Sequence, residues 1–329
     1  MEIMEFCQKV KRSLTDCVGE TETVTIREIT KNNGIILHSI VITEKELNIS
    51  PNIYLDELYE AYERGETFRT VMDEIRQIYK ESRIKERIDM NFFMDYEQMK
   101  DKVLYKLISY EKNKELLLQV PYIPFLDFAI VFYCYVPKRE LENATILIYN
   151  SHLKMWKIGR DRLHQDAKRN TERVLPAKIC GIEDMMREIF MRDMMEKIEN
   201  KNDAEKEVEK EAIKRQAEKT VEQMMDVIAA NGETGRMYVL GNDRKLFGAA
   251  AMLYPGLLEA FADKTEKNFF ILPSSVHEVI IVPDNEEQEA EELWKMVCDI
   301  NATQVEPEEV LTDSVYYFSR KVRRIERLF

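Results

Sequence analysis

Residues 236–284 constrain the fold more than any other part of the chain. Met237, Tyr238, Val239 and Leu240 read as a strand. The small-residue run 246–254 reads as a helix closed by Pro255-Gly256. A second helix follows, then two apolar strands turned at Pro273-Ser274-Ser275, with His277 opening the second. Strands and helices so closely interleaved predict an α+β fold with mixed or antiparallel sheets flanked by helices.

Upstream, Ile3, Phe6, Cys7, Val10 and Leu14 fall at helical spacing and predict a helix over 2–18. Two alternating segments around Asn33-Gly34 predict a β-hairpin, because Asn-Gly supplies two positive-φ positions. Tyr54, Leu55, Leu58, Tyr59 and Tyr62 begin a helix ending near Gly65, and another runs over 67–85. In the middle section strands are expected at 102–109, 125–136 and 144–149, with helices at 113–119, 150–156 and 160–170. Residues 183–222 carry 13 acidic and 9 basic side chains and neither Gly nor Pro. They read as a long charged helical insertion, with Asn202 and Glu205 as a capping box, stopped by Asn231-Gly232. The last section adds a helix over 286–301 and a final strand at 315–318. The organisation expected is 1–95, 96–182, 183–234 and 235–329. The middle and last sections share the order strand, helix, strand, strand, helix, which raises an internal structural repeat.

Composition narrows the function classes. With 45% hydrophobic residues the 329-residue chain can build a core. A net charge of −13 repels phosphate backbones and disfavours general nucleic-acid binding. The five cysteines are odd in number and lack a C-x-x-C pair, which points to a reducing, cytoplasmic compartment. The longest apolar run, 128–136, is far below the ~20 residues of a membrane span. The N-terminus has acids where a signal peptide has bases.

No catalytic signature stands out. Ser275 and His277 would share a strand face, so with Ser274 they are the candidates for a hydrolase-like nucleophile and base. The G-x-S-x-G elbow is absent, and the plainer reading is a turn. Arg244 and Lys245, before the helix expected at Leu246, are the candidates for an anion or ligand site. The plainer reading there is a strand-to-helix turn with Asn242 or Asp243 as N-cap. Tyr54, in a tyrosine stripe, is a candidate for lining a cleft, although such stripes usually form core. No metal site is expected: His277-Glu278 is followed by Ile281 where H-E-x-x-H needs histidine. No phosphate-binding glycine loop occurs, and no cofactor is expected. Methionines 185, 186, 194, 195, 224 and 225 form a face for a protein partner or for packing. Arg320, Lys321, Arg323, Arg324 and Arg327 form a basic tail able to touch nucleic acid or docked on the fold.

Ile49-Ser50-Pro51-x-Ile53-Tyr54-Leu55, Asn113-Lys-Glu115-Leu-Leu, Asn150-x-x-Leu153-x-x-Trp156, Ala167-x-x-Asn170-Thr171, Phe247-Gly-Ala-Ala250 and Leu272-Pro-Ser-Ser-x-His-Glu-Val279 resemble the motifs of an uncharacterised domain-of-unknown-function family of anaerobic Firmicutes, and the resemblance covers nearly the whole chain. The order of the C-terminal elements is distantly similar to the YtpQ-like family. The resemblance implies a bacterial cytosolic α+β protein and carries over no activity. The expectation is therefore a non-enzymatic cytoplasmic protein binding a partner or small ligand. A hydrolase using Ser275 and His277, and nucleic-acid binding through the tail, are the alternatives.

Overall fold

The structure is a computed structural model describing residues 1–19, 21–83, 91–138, 141–196, 213–223, 237–273, 275–286 and 289–329. The chain folds as two units interleaved along the sequence. The first comprises Met1–Val103, Lys112–Pro121 and Tyr133–Leu163; the second comprises Leu104–Glu111, Tyr122–Phe132 and His164–Phe329. The elements confirm an α+β fold. Among the described residues no helix is long and apolar enough to cross a membrane.

In the first unit the helix Ile3–Thr15 buries Phe6, Cys7, Val10 and Leu14, the stripe its spacing predicted. It packs on an antiparallel sheet of β1 (Glu22–Thr30), β2 (Ile36–Glu44) and β3 (Asn52–Tyr54). The hairpin turn places Asn33 at φ 61° and Gly34 at φ 72°. Its loop is longer than a two-residue turn, because Thr30 pairs with Ile36. Asn33 and Asn113 bond reciprocally: each distance, backbone N–H to Asn113 Oδ1 and Asn113 Nδ2 to Asn33 Oδ1, is 2.9 Å.

Tyr54 ends β3 instead of opening a helix, and the helix is Asp56–Glu63. Asp56 fixes that boundary. Its carboxylate accepts the His38 backbone N–H at 2.7 Å and lies 2.9 Å from His38 Nδ1, tying the helix start to β2. The next helix, Phe68–Ser82, begins at Thr67, whose hydroxyl accepts the Thr70 N–H.

Four strands follow: β4 (Val103–Ser109), β5 (Tyr122–Phe125), β6 (Phe128–Lys138) and β7 (Leu141–Leu147). In the second unit β6 lies between β4 and β5; in the first, its far half pairs β7. The apolar run expected as one strand over 125–136 is thus broken. Phe125 pairs Phe128 across a tight turn in which Leu126 takes φ 53°.

Asp127 accounts for the break. Its carboxylate accepts hydrogen bonds from Thr312 Oγ1 and Ser314 Oγ, each at 3.0 Å, and from the Tyr316 hydroxyl. Arg327 Nε lies 3.9 Å away. Burial and the Asp127 carboxylate together raise the Tyr316 phenol above its ordinary range.

The second unit is built on β8 (Ala177–Gly181), β9 (Tyr238–Asn242), β10 (Phe269–Leu272), β11 (Val279–Pro283), β12 (Tyr316–Phe318) and β13 (Ile325–Arg327). They form one antiparallel sheet in the order β13-β12-β10-β11-β9-β8. The helix Ala290–Thr303 packs Leu293 and Val297 with Phe270, Leu272, Val282 and Val315.

The run expected as an α-helix over 246–254 is a 3₁₀ segment, Gly248–Leu253. Close approach is the cause. A Cβ on Gly248 would sit 2.3 Å from the His277 carbonyl oxygen, and the Ala249 N–H donates to Val276 O at 3.3 Å. The strand expected to begin at His277 begins instead at Val279.

The helix Ile182–Glu196 and helical residues 213–223 belong to the segment read as charged. Ile213, Ala217 and Val221 of that segment are buried. Asn202, Glu205, Met224, Met225, Asn231 and Gly232 lie outside the described residues, and so does the insertion's full length. The basic tail is docked. Arg320 Nε and Arg323 Nη2 reach Asp263 at 3.3 and 3.0 Å, Arg324 pairs Glu326, and β13 completes the sheet.

Four substitutions test this account. Asp127→Ala strands three hydroxyls and is expected to cost about 2–3 kcal/mol in urea unfolding of the second unit. Adding Tyr316→Phe to it should be less than additive, because one orphan hydroxyl is then gone. Gly248→Ala is expected to cost at least about 2 kcal/mol by the same measurement, since the clash is with backbone. Asp263 is held below the usual carboxylate range, first by Arg320 and then by Arg323. A depressed folded-state pKa contributes stability above the ordinary carboxylate value and loses it as pH falls through the folded value. The melting-temperature gap between wild type and Asp263→Asn should therefore close below about pH 4. It should also narrow in about 1 M salt.

Candidate functional site

Against the β8–β9 pair, where Lys178 lies opposite Gly241 and Cys180 opposite Val239, the second unit forms a partly open cavity of about 260 Å³. Its walls come from β8, β9, the helix Ile182–Glu196, the turn after β9 and residues 277–278. The register Cys180↔Val239 brings β8 beside β9, so a segment some 60 residues upstream supplies one wall.

Asn242 builds the turn. It is buried, and its Oδ1 accepts the N–H groups of Arg244 at 3.1 Å and Leu246 at 3.2 Å. Its Nδ2 donates to Leu246 O at 2.9 Å. Its Oδ1 and one Nδ2–H are therefore spent on the shape of the loop. The loop it holds sets Lys245 at φ 50° and Phe247 at φ 48°, left-handed conformations that a non-glycine residue adopts only under such restraint. Lys245 lines the cavity, whereas Arg244 is not among its lining residues. The segment after the turn is 3₁₀ and six residues long, so it does not offer this site the α-helix N-terminus expected at Leu246.

The polar wall is mostly self-paired. Lys178 lies 3.3 Å from Glu188 and 3.7 Å from Asp243, and the Glu188 contact raises its pKa. His277 stacks on Phe247 with centroids 5.6 Å apart and planes 13° from parallel. Its Nδ1 lies 3.0 Å from Lys245 O and 3.3 Å from Phe247 N, and its Nε2 lies 3.3 Å from Glu309 Oε1. Lys106 Nζ stands 4.1 Å from the Phe247 ring centre. Burial raises the Glu278 carboxyl above its ordinary range and also raises the Cys180 thiol. Met185, Ile189 and Val239 form the apolar side.

The sequence candidates divide. His277 and Lys245 meet at the cavity. Ser275 is buried, bridges to Val310, and its Oγ accepts the His277 backbone N–H at 3.0 Å. Among the described residues neither imidazole nitrogen hydrogen-bonds the Ser275 hydroxyl. Residues 275–278 precede β11, so the two side chains do not share a strand face. Ser274 lies outside the described residues. Tyr54 belongs to the first unit, where Lys31 Nζ sits 4.2 Å from its ring centre.

Lys178, Cys180, Glu188 and Glu278 escaped sequence reasoning as lining residues. A signal existed for β8: Pro176 and Gly181 bracket it, and Lys178 and Cys180 are two apart, on one strand face.

No curated protein matches this chain, and no solved structure does. A family model matches residues 3–320, nearly the whole chain. The protein belongs to that family, described as a family of unknown function (DUF5688).

Proposed function

We propose that this protein binds a small polar ligand in the cavity of its second unit and acts in the cytosol as a binding protein, not as a hydrolase. The observation that carries the reading is the cavity. Its volume is close to the lower end of the ~300–1,000 Å³ range of small-molecule pockets. It joins an apolar side to Lys245 and Glu278, and its backbone is fixed by Asn242 and by the close approach at Gly248. A site shaped before binding loses less entropy when it binds.

Several placements support binding over hydrolysis. Glu309 stands behind the His277 imidazole as a triad carboxylate would, but the Ser275 hydroxyl is engaged by backbone. The ion pairs of Arg320, Arg323 and Arg324 weigh against a nucleic-acid surface on the tail. Met185 faces the cavity, so at least one methionine of the candidate partner face serves the pocket. Five free thiols support the cytosolic assignment.

A thermal-shift screen of small metabolites tests the reading. A ligand at a hundredfold excess over its Kd is expected to raise the melting temperature by about 5 °C. Ile189→Trp, which fills the cavity from its apolar side, should remove that shift. A panel without any shift, or a shift that persists in Ile189→Trp, would count against the cavity as the site.

A further inference from the structure

The pocket's polar groups can be sorted by whether the protein already uses them. The Lys178 ammonium is held by Glu188 and Asp243, which occupies all three charges. The Asn242 amide oxygen and one of its N–H groups hold the loop. The His277 ring is stacked on Phe247 and faces Lys245 O and Glu309. Two charged lining groups remain. Among the described residues, neither Lys245 Nζ nor the Glu278 carboxyl forms a hydrogen bond or an ion pair, with each other or with anything else. They are still close enough to feel each other's charge.

An ammonium and a carboxyl left apart in one small cavity define a ligand. A simple carboxylic acid would satisfy Lys245 and leave Glu278 without a partner. A simple amine would do the reverse. The acid leaves the partly buried Glu278 charge uncompensated, which is costly, and the amine forgoes the attraction of the Lys245 ammonium at the rim. A molecule with both charges on adjacent carbons satisfies both groups. The remaining wall, Met185, Ile189 and Val239, is apolar and calls for an apolar substituent.

Given the small-ligand reading above, on which this rests, we propose that the ligand is a zwitterion of the α-amino-acid type with an aliphatic side chain. Its carboxylate meets Lys245 Nζ, its ammonium meets the Glu278 carboxylate, and its side chain lies against Met185, Ile189 and Val239. The direction in which burial moves Glu278 fits this assignment. An adjacent ammonium favours the ionised form that burial disfavours, so ligand and pocket relieve each other.

Three probes, L-leucine, 4-methylpentanoate and isoamylamine, separate the two charges, with affinities read by calorimetry or ligand-observed NMR on the full chain. Leucine is expected to bind one per chain and at least about tenfold tighter than either analogue. Lys245→Met should weaken leucine to the level of isoamylamine and leave isoamylamine unchanged. Glu278→Gln should weaken leucine to the level of 4-methylpentanoate and leave 4-methylpentanoate unchanged. Because each variant keeps one analogue, retained binding also shows that its pocket is folded. Leucine binding no tighter than both analogues, or unaltered in both variants, would overturn the amino-acid assignment. If leucine fails while other compounds shift the melting temperature in wild type but not in Ile189→Trp, this assignment falls and the pocket reading stands. If nothing binds, both fall.

Discussion

The approach of two stretches of backbone governs the second unit. Gly248 lies so near the His277 carbonyl that a single methyl group would not fit, and Gly241 passes within contact of the same loop. Packing this close cannot be achieved by an α-helix carrying side chains, so the small-residue segment winds as 3₁₀ and its neighbours Lys245 and Phe247 take left-handed conformations. From that one contact follow the stacking of His277 on Phe247, the placement of Lys245 at the cavity, and the late start of β11. The cost of holding two non-glycine residues at positive φ is met by Asn242, whose amide bonds the loop on both sides.

A second device works at longer range. The Asp127 carboxylate gathers three hydroxyl donors that lie 185 to 189 residues further along the chain. It allows a two-residue turn to interrupt the most apolar stretch of the protein. The same carboxylate fixes the approach to β12, the strand on which the docked tail depends. The His38–Asp56 pair does comparable work in the first unit, locking a helix start to a strand edge.

How far the sequence could be read follows from where the determining partners lie. Helices Ile3–Thr15 and Phe68–Ser82 were legible because their buried residues repeat within one element, and Thr67 caps the second. The Asn33-Gly34 turn was legible for the same reason. The break at Leu126 was not, since a leucine at positive φ has no sequence signature and its cause is a set of hydroxyls far away. Strands β3, β8 and β13, three to five residues long, have too few residues for a period to show. The candidate site was half legible. His277 and Lys245 stood out beside turns, whereas Cys180 and Glu188 reach the cavity only through the β8–β9 pairing. Ser275 was attractive because strand alternation would have aligned it with His277; a bend replaced the strand.

The edges of the six-stranded sheet also bear on how the molecule behaves in company. A sheet with an open, flat, apolar border invites another copy to add a strand and so to polymerise. Here one border is β13, three residues long with Arg324 before it and Arg327 at its end. The other is β8, which follows Pro176 and runs directly into the helix Ile182–Glu196. A second chain would find few free peptide groups in a row on either side, and cations or a proline beside them. The tail that reads as a nucleic-acid arm thus serves, in its docked position, as a guard against edge-to-edge aggregation.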